Sequence, residues 1–189
     1  MRIFDDRYNR DLRRHNLALR FIQHQARTDT IRRWTGLSAF RIRALFHAYA
    51  ETSDGKATTR HRGASPQRVS LFFRSPQHEF EAAMLAACCR MLGALPPKPV
   101  ADPERALPGV EHGERVCQAF ETFHVIVPDS QITLEHAILL VLALARGVEL
   151  TLGRCESCAG LIVINQLEIR RRLCVYCKHE SVADEHIEP

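Results

Sequence analysis

Cys155-Glu156-Ser157-Cys158, followed after residues 159–173 by Cys174-Val175-Tyr176-Cys177, is the stretch on which the reading of this chain turns. Two cysteines three apart sit at the tip of a tight turn where both sulfurs can face one metal, and a returning loop brings the second tip opposite the first. Leu161-Ile162-Val163-Ile164, apolar and mostly β-branched, reads as a strand leaving the first tip. The pattern predicts a small zinc ribbon over residues 153–179, with one zinc ion held by Cys155, Cys158, Cys174 and Cys177. Four thiolate ligands leave the metal no open position for water or substrate, so such a site is structural rather than catalytic. Disulfide-linked hairpins or four unrelated buried thiols are the alternatives. The matched spacing, and a start at Met1-Arg2-Ile3-Phe4-Asp5-Asp6 without a secretory signal, favour the metal. A zinc deaminase would need His-x-Glu upstream and proline before a cysteine pair, whereas Arg154 and Leu173 stand there.

The chain has 189 residues, of which 46% are hydrophobic and 25% charged, as in ordinary globular proteins. Its longest apolar run, Ala137 to Ala145, is too short to cross a bilayer, so a cytoplasmic protein is expected. Cys88, Cys89 and Cys117 fall among apolar neighbours in helical patterns and read as core residues. The net charge of +4 conceals an asymmetry. Residues 1–75 hold 16 Lys/Arg against 6 Asp/Glu, and residues 76–189 hold 10 against 16. A basic front of this size suits phosphate contact, or else forms a solvated helix surface.

Working outward from the cysteines, the expected fold is mainly α. Residues 10–26 form an amphipathic helix through Leu12, Leu17, Leu19, Phe21 and Ile22. Thr28 or Asp29 caps a short helix that Gly36 ends, and Ser38 caps a second running to about Ala50, with Ile31, Leu37, Ile42 and Leu45 buried between them. This is a helix-turn-helix-like part over residues 1–51, the alternative being an ordinary helical hairpin. In the DNA-binding reading Ser38, Ala39, Phe40, Arg41, Ala44 and His47 face base edges and Arg43 the backbone. Arg32 sits where such motifs use a small residue.

Residues 52–75 read as a basic loop carrying Lys56, Arg60, Arg62 and Arg68, suited to a phosphate strand or serving as a linker. A helical body follows over residues 76–152. Its first helix, Pro76 to Gly93, would bury Phe80, Ala83, Met84, Ala87, Cys88 and Met91. Residues 94–113 are Pro/Gly-rich and read as a linker. Helices are expected over 114–127 and 134–146, the latter capped by Thr133 and apolar on every side, hence buried or in a subunit interface. Residues 180–189 form a short acidic tail.

The order of Thr35-Gly36-Leu37-Ser38-x3-Ile42-Arg43-x-Leu45-Phe46, Arg62-Gly63-Ala64-Ser65-Pro66, Leu71-Phe72-Phe73-Arg74-Ser75 and the four cysteines resembles the flagellar transcriptional regulator FlhC family over residues 17–80 and 114–178. The chain departs from that family at Phe72, where members carry proline, and in its short acidic tail. The resemblance implies a helical bacterial protein that binds zinc through its four cysteines. It also implies assembly with the small helical subunit FlhD, promoter binding, and activation of flagellar genes through RNA polymerase. A second class fits the same residues: a zinc-stabilised adaptor whose helices only build a partner surface. An enzyme is not expected, since the chain has no Walker-type loop, Gly-x-Ser-x-Gly or His-Glu-x-x-His, and His78-Glu79 and Glu135-His136 read as surface or capping residues.

Overall fold

The computed structural model describes residues 2–52, 63–169 and 171–178. It is mainly helical, with a small four-cysteine module at the C-terminal side. The helices are α1 (Arg2–Gln23), α2 (Thr28–Thr35), α3 (Ala39–Thr52), α4 (Pro76–Met91), α5 (Pro103–Ala106), α6 (Val110–Ile126) and α7 (Leu134–Arg146). A 3-10 turn, Val69–Phe73, precedes α4, and two strands, β1 (Leu150–Arg154) and β2 (Leu161–Asn165), follow α7.

α1 begins earlier and ends sooner than its apolar spacing suggests. Leu17, Ala18, Phe21 and Ile22 are buried, while Leu12 is exposed. The helix stops at Gln23 because Gln25 takes the left-handed conformation (φ +57°). There Gln25 N–H donates to Ile22 O (2.9 Å) and Ala26 N–H to Phe21 O (2.8 Å), a Schellman closure made without glycine. α1 and α6 run parallel: Arg13 meets Glu114 and Arg20 meets Glu121, each pair 101 positions apart. They approach closely at Gly113, where an added Cβ would stand 2.7 Å from Leu17 Cδ2 and 3.2 Å from Trp34 Cε3. Trp34 fills the junction, tilted against Phe21 (6.1 Å between centroids) and stacked on His112 (5.7 Å).

α7 is the buried centre of this body, as its apolar sequence predicts. Leu134, Ala137, Ile138, Leu140, Val141, Leu142 and Ala145 are buried on it. Thr133 and His136 form a capping box at its start, and Gly147 ends it with φ +68°.

Both segments expected to be irregular contain helical turns among their described residues. Within 52–75, residues 69–73 form the 3-10 turn, and its Leu71 and Phe72 enter the core; residues 53–62, which include Lys56, Arg60 and Arg62, lie outside the described ones. Within 94–113, Pro103 starts α5 and is buried, Val100 N–H donates to Ala145 O (2.8 Å), Glu104 pairs with Arg146, and α6 already begins at Val110. Proline at a first helical position sacrifices no hydrogen bond, so a proline-rich stretch can dock on α7 rather than span open solvent.

α4 departs most from expectation. Its core side is Glu81, Ala82, Leu85, Ala86, Cys88 and Cys89. Phe80, Ala83, Met84 and Ala87 are half-buried on a second side that faces the cysteine module, and Met91 is 72% exposed. A helix with apolar groups around most of its circumference has no single periodic stripe, and only its neighbours reveal that one side enters the helical core and another faces the module.

Candidate metal centre and helix-turn-helix surface

β1 and β2 pair antiparallel from Leu150↔Asn165 to Arg154↔Leu161, so the strands project residues 155–160 as a tight turn. Within it Cys155 N–H donates to Gly160 O (2.8 Å) and Ala159 N–H to Cys155 O (2.9 Å). The turn needs one left-handed residue, and Ala159 supplies it at φ +60°. The returning chain is tied on by Glu156 N–H to Arg172 O (2.9 Å), and Lys178 N–H to Cys174 O (3.0 Å) closes a helical turn over residues 175–178.

These two turns bring together the four cysteines singled out by spacing. The sulfurs of Cys155, Cys158, Cys174 and Cys177 all lie within 4.8 Å of one another, and Cys158 Sγ is 3.7 Å from Cys174 Sγ. A metal bonded to four sulfurs at about 2.3 Å places them about 3.8 Å apart on tetrahedral edges. The donor set is therefore arranged as a metal would require, and all seven cysteines are free thiols. Backbone N–H groups already point at sulfur: Cys174 N–H donates to Cys155 Sγ (3.2 Å) and Cys177 N–H to Cys174 Sγ (3.5 Å).

The electrostatics favour a cation. The Cys158 and Cys174 backbone N–H groups pull the Cys155 thiol down to about 6. Cys177, despite a lowering hydrogen bond with Ser157, is pushed up to about 12 by Cys174 and its other neighbours. The bare cluster thus favours the thiolate at Cys155 and disfavours it at Cys158 and Cys177, and a central cation offsets the repulsion among the gathered sulfurs. Cys89 and Cys117, pushed up to about 12 by burial, are inert core thiols.

The module docks on the helical body through residues the spacing does not flag. Lys178 Nζ meets Glu79 Oε2 at 2.5 Å, and Tyr176 sets its ring edge-on to Phe80 (5.9 Å, 83°). Glu79 is thus neither free surface nor cap. The only sequence cue for Lys178 is its place directly after Cys177.

α2 and α3 join through Gly36 in the left-handed conformation (φ +71°). Ile31, Leu37 and Ile42 are buried at the joint and Leu45 packs against it. Thr35 Oγ1 donates to Ile31 O (2.6 Å) and accepts from Leu37 N–H (3.2 Å), which fixes the turn. Ser38 caps α3, accepting from Arg41 N–H at 3.3 Å.

Neither Thr28 nor Asp29 caps α2. Arg27 is its N-cap, and its N–H donates 2.8 Å to Oε1 of Glu135, a buried acid on α7. Asp29 instead pairs with Arg32 and Arg33. Arg32 faces solvent, so its bulk does not obstruct the helix crossing.

Of the proposed base-facing residues, Phe40, Arg41, Ala44 and His47 are exposed on α3, Ala39 is half-exposed, and Ser38 is exposed with its hydroxyl engaged in the cap. Arg43 is exposed and its Nε donates to Ala39 O (3.2 Å). Arg68 is exposed at the start of the 3-10 turn. Among the described residues, Arg41, Arg43 and Arg68 form no ion pair with an acid, unlike Arg13, Arg14, Arg20, Arg27, Arg32 and Arg33.

No protein-family model matches the chain, and no curated protein matches it in sequence. Fold and site define a helical protein with a docked four-cysteine module that could bind a metal.

Proposed function

We propose that this chain is a DNA-binding transcriptional activator subunit. The observation that carries the reading is α3: a Ser38-capped helix, buried on one side through Ile42, whose other side presents Arg41, Arg43 and His47 to solvent with no acid paired to either arginine among the described residues. Arginines left unneutralised beside a helix-turn-helix joint suit a duplex, with α3 in the major groove and Arg68 on phosphate. Arg60 and Arg62, outside the described residues, add basic charge to the sequence between α3 and the 3-10 turn and are proposed as further phosphate contacts.

The metal in this reading is zinc, one ion per chain, held by Cys155, Cys158, Cys174 and Cys177, because an all-sulfur tetrahedral set suits zinc and leaves no open position. Its role is to hold the module against α4, and the protein is not an enzyme. By its resemblance to the FlhC family, the chain acts in the cytoplasm with an FlhD-like subunit in a hetero-oligomer on flagellar promoters, engaging RNA polymerase. No helix among the described residues is long and apolar enough to cross a membrane.

A pure adaptor is the second reading, favoured by apolar residues left on the surface, such as Tyr8 (69% exposed) and Phe40 (78%). Fluorescence anisotropy on flagellar promoter fragments, with an FlhD-like subunit present, separates the two. Arg41→Ala or Arg43→Ala should weaken binding about tenfold, in keeping with the cost of about 1–3 kcal/mol for losing one good arginine contact. Partner capture with no binding to any DNA, alone or in complex, would reject the activator and leave the adaptor.

A further inference from the structure

At the two ends of the β1–β2 hairpin, Gln166 N–H donates to Glu149 O and Cys155 N–H to Gly160 O, both at 2.8 Å. In antiparallel pairing, residue pairs that exchange backbone hydrogen bonds alternate with pairs that do not. With the register running from Leu150↔Asn165 to Arg154↔Leu161, the bonded pairs between those ends are Thr151 with Ile164 and Gly153 with Ile162. Ile162 and Ile164 thus turn their backbone groups to β1, while Leu161 and Val163 turn theirs to the outer edge of β2. Among the described residues, no N–H or C=O of Leu161 or Val163 has a hydrogen-bond partner.

That edge lines an open groove of about 320 Å³. Every residue of β2 lines it and none of β1 does, so the groove runs along the free side of the strand. Its other walls are Phe80, Met84 and Ala87 of α4 and the chain returning through Leu173, all half-buried. The charges in the lining are of both signs. Glu79 is paired with Lys178, and Glu168, which accepts from Asn165 Nδ2, shares the lining with Arg171 and Arg172. What the groove offers without a partner is backbone, set between apolar walls.

Unpaired donors and acceptors at strand spacing are satisfied together by another extended chain. A second copy does not fit: its own β2 edge is equally recessed between α4 and the returning chain, and two recessed edges do not meet. A slender segment does fit, since β2 spans about 17 Å, the length of about five extended residues. We propose that the outer edge of β2 takes up an extended segment of a partner protein as an added strand. The backbone of that segment pairs with Leu161 and Val163, and every second side chain is apolar and enters the space beside Phe80 and Met84. This strand addition goes beyond the DNA-binding reading and does not depend on it.

Amide hydrogen exchange of the full, metal-loaded chain, followed by NMR, tests this. In the protein alone, Leu161 and Val163 should exchange about tenfold faster than Ile162 and Ile164. Heptapeptides Lys-Thr-X-Thr-X-Thr-Lys, with X being Val, Ile, Leu, Phe or Met in turn, are then added in excess, and at least one should slow Leu161 and Val163 about tenfold. N-methylating one alternate set of that peptide's amides should abolish the effect and methylating the other set should leave it, because only one edge of an added strand faces β2. Val163→Pro removes an outward N–H and spares the β1 ladder, and should also abolish binding. Ala87→Arg, which fills the groove from α4, should do the same, and metal content verifies each variant. The N-methyl pair needs no variant, so the test holds if either substitution disturbs the fold. Leu161 and Val163 as protected as Ile162 and Ile164 in the protein alone would overturn the proposal. Protection that fades on dilution would then assign the edge to a second copy, and protection that persists would assign it to this chain's own residues. Exchange that none of the peptides slows, or binding indifferent to both N-methyl sets, would overturn it as well.

Discussion

Ala159 closes the first cysteine turn at φ +60°, where its Cβ is crowded against backbone. That conformation costs a side-chain-bearing residue about 1–2 kcal/mol, part of which glycine would recover at the expense of a more disordered unfolded chain. Ala159→Gly should therefore stabilise the metal-bound protein by about 0.5–1 kcal/mol in chemical denaturation, with unchanged metal content. Gln25 holds a comparable conformation at the end of α1. Neither is visible in the sequence, because glycine is the usual cue for positive φ and both positions lack it. Gly36, Gly93 and Gly147 do carry that cue, and each has positive φ next to a helix end.

At the scale of elements, α1 and α6 are held by more than their apolar faces. Glu121 accepts from Arg20 (2.6 Å to Nη2) and contacts His24 Nε2 (2.8 Å). Burial alone would raise its carboxyl, but the hydrogen bonds with Arg20 and His24 hold it below its ordinary value of 4.5. A depressed folded value contributes stability above the unfolded pKa, which is lost as pH falls through the folded one. Urea denaturation from pH 6 down to pH 3 should thus show a shallower loss for Glu121→Gln than for wild type.

The metal module behaves differently as an element. Its own core is only Cys155, Ile162 and Cys177 with Ile164, Leu173 and Cys174 against it, whereas Leu150 belongs to the helical core. So small a cluster draws its folding energy from the metal. Chelation should abolish hydrogen-exchange protection over residues 153–178 and leave that of α6 and α7 in place, and Cys174→Ser should mimic it. Loss of protection throughout the helices would show that the module is instead part of one cooperative unit.

For the molecule as a whole, the charge asymmetry between the halves is partly internal. Arg13 and Arg20 reach Glu114 and Glu121 on α6, and Arg27 lies 3.9 Å from Glu135 on α7, so part of the basic front binds the acidic back. Charges already neutralised within the fold release few counterions from a duplex. If α3 and Arg68 contact phosphate, Arg68→Ala should reduce the log–log salt slope of DNA affinity by about 1. Arg13→Ala should leave that slope unchanged. A slope that drops for Arg13→Ala and not for Arg68→Ala would place the nucleic acid on α1 instead.

Parts whose signals are local were legible in the order of residues alone. Cysteine spacing gives the four sulfurs in one cluster, because two short turns can be read from chain geometry alone. The Gly36 turn gives the α2–α3 joint, and unbroken apolarity gives the burial of α7. Tertiary structure decided what depends on partners far along the chain: Glu135 of α7 meeting the first turn of α2, the second face of α4 meeting the module, and α6 acids pairing with α1 arginines. A side chain's charge and apolarity are fixed by its type, but whether they are spent inside or offered outside is set by neighbours a hundred residues away.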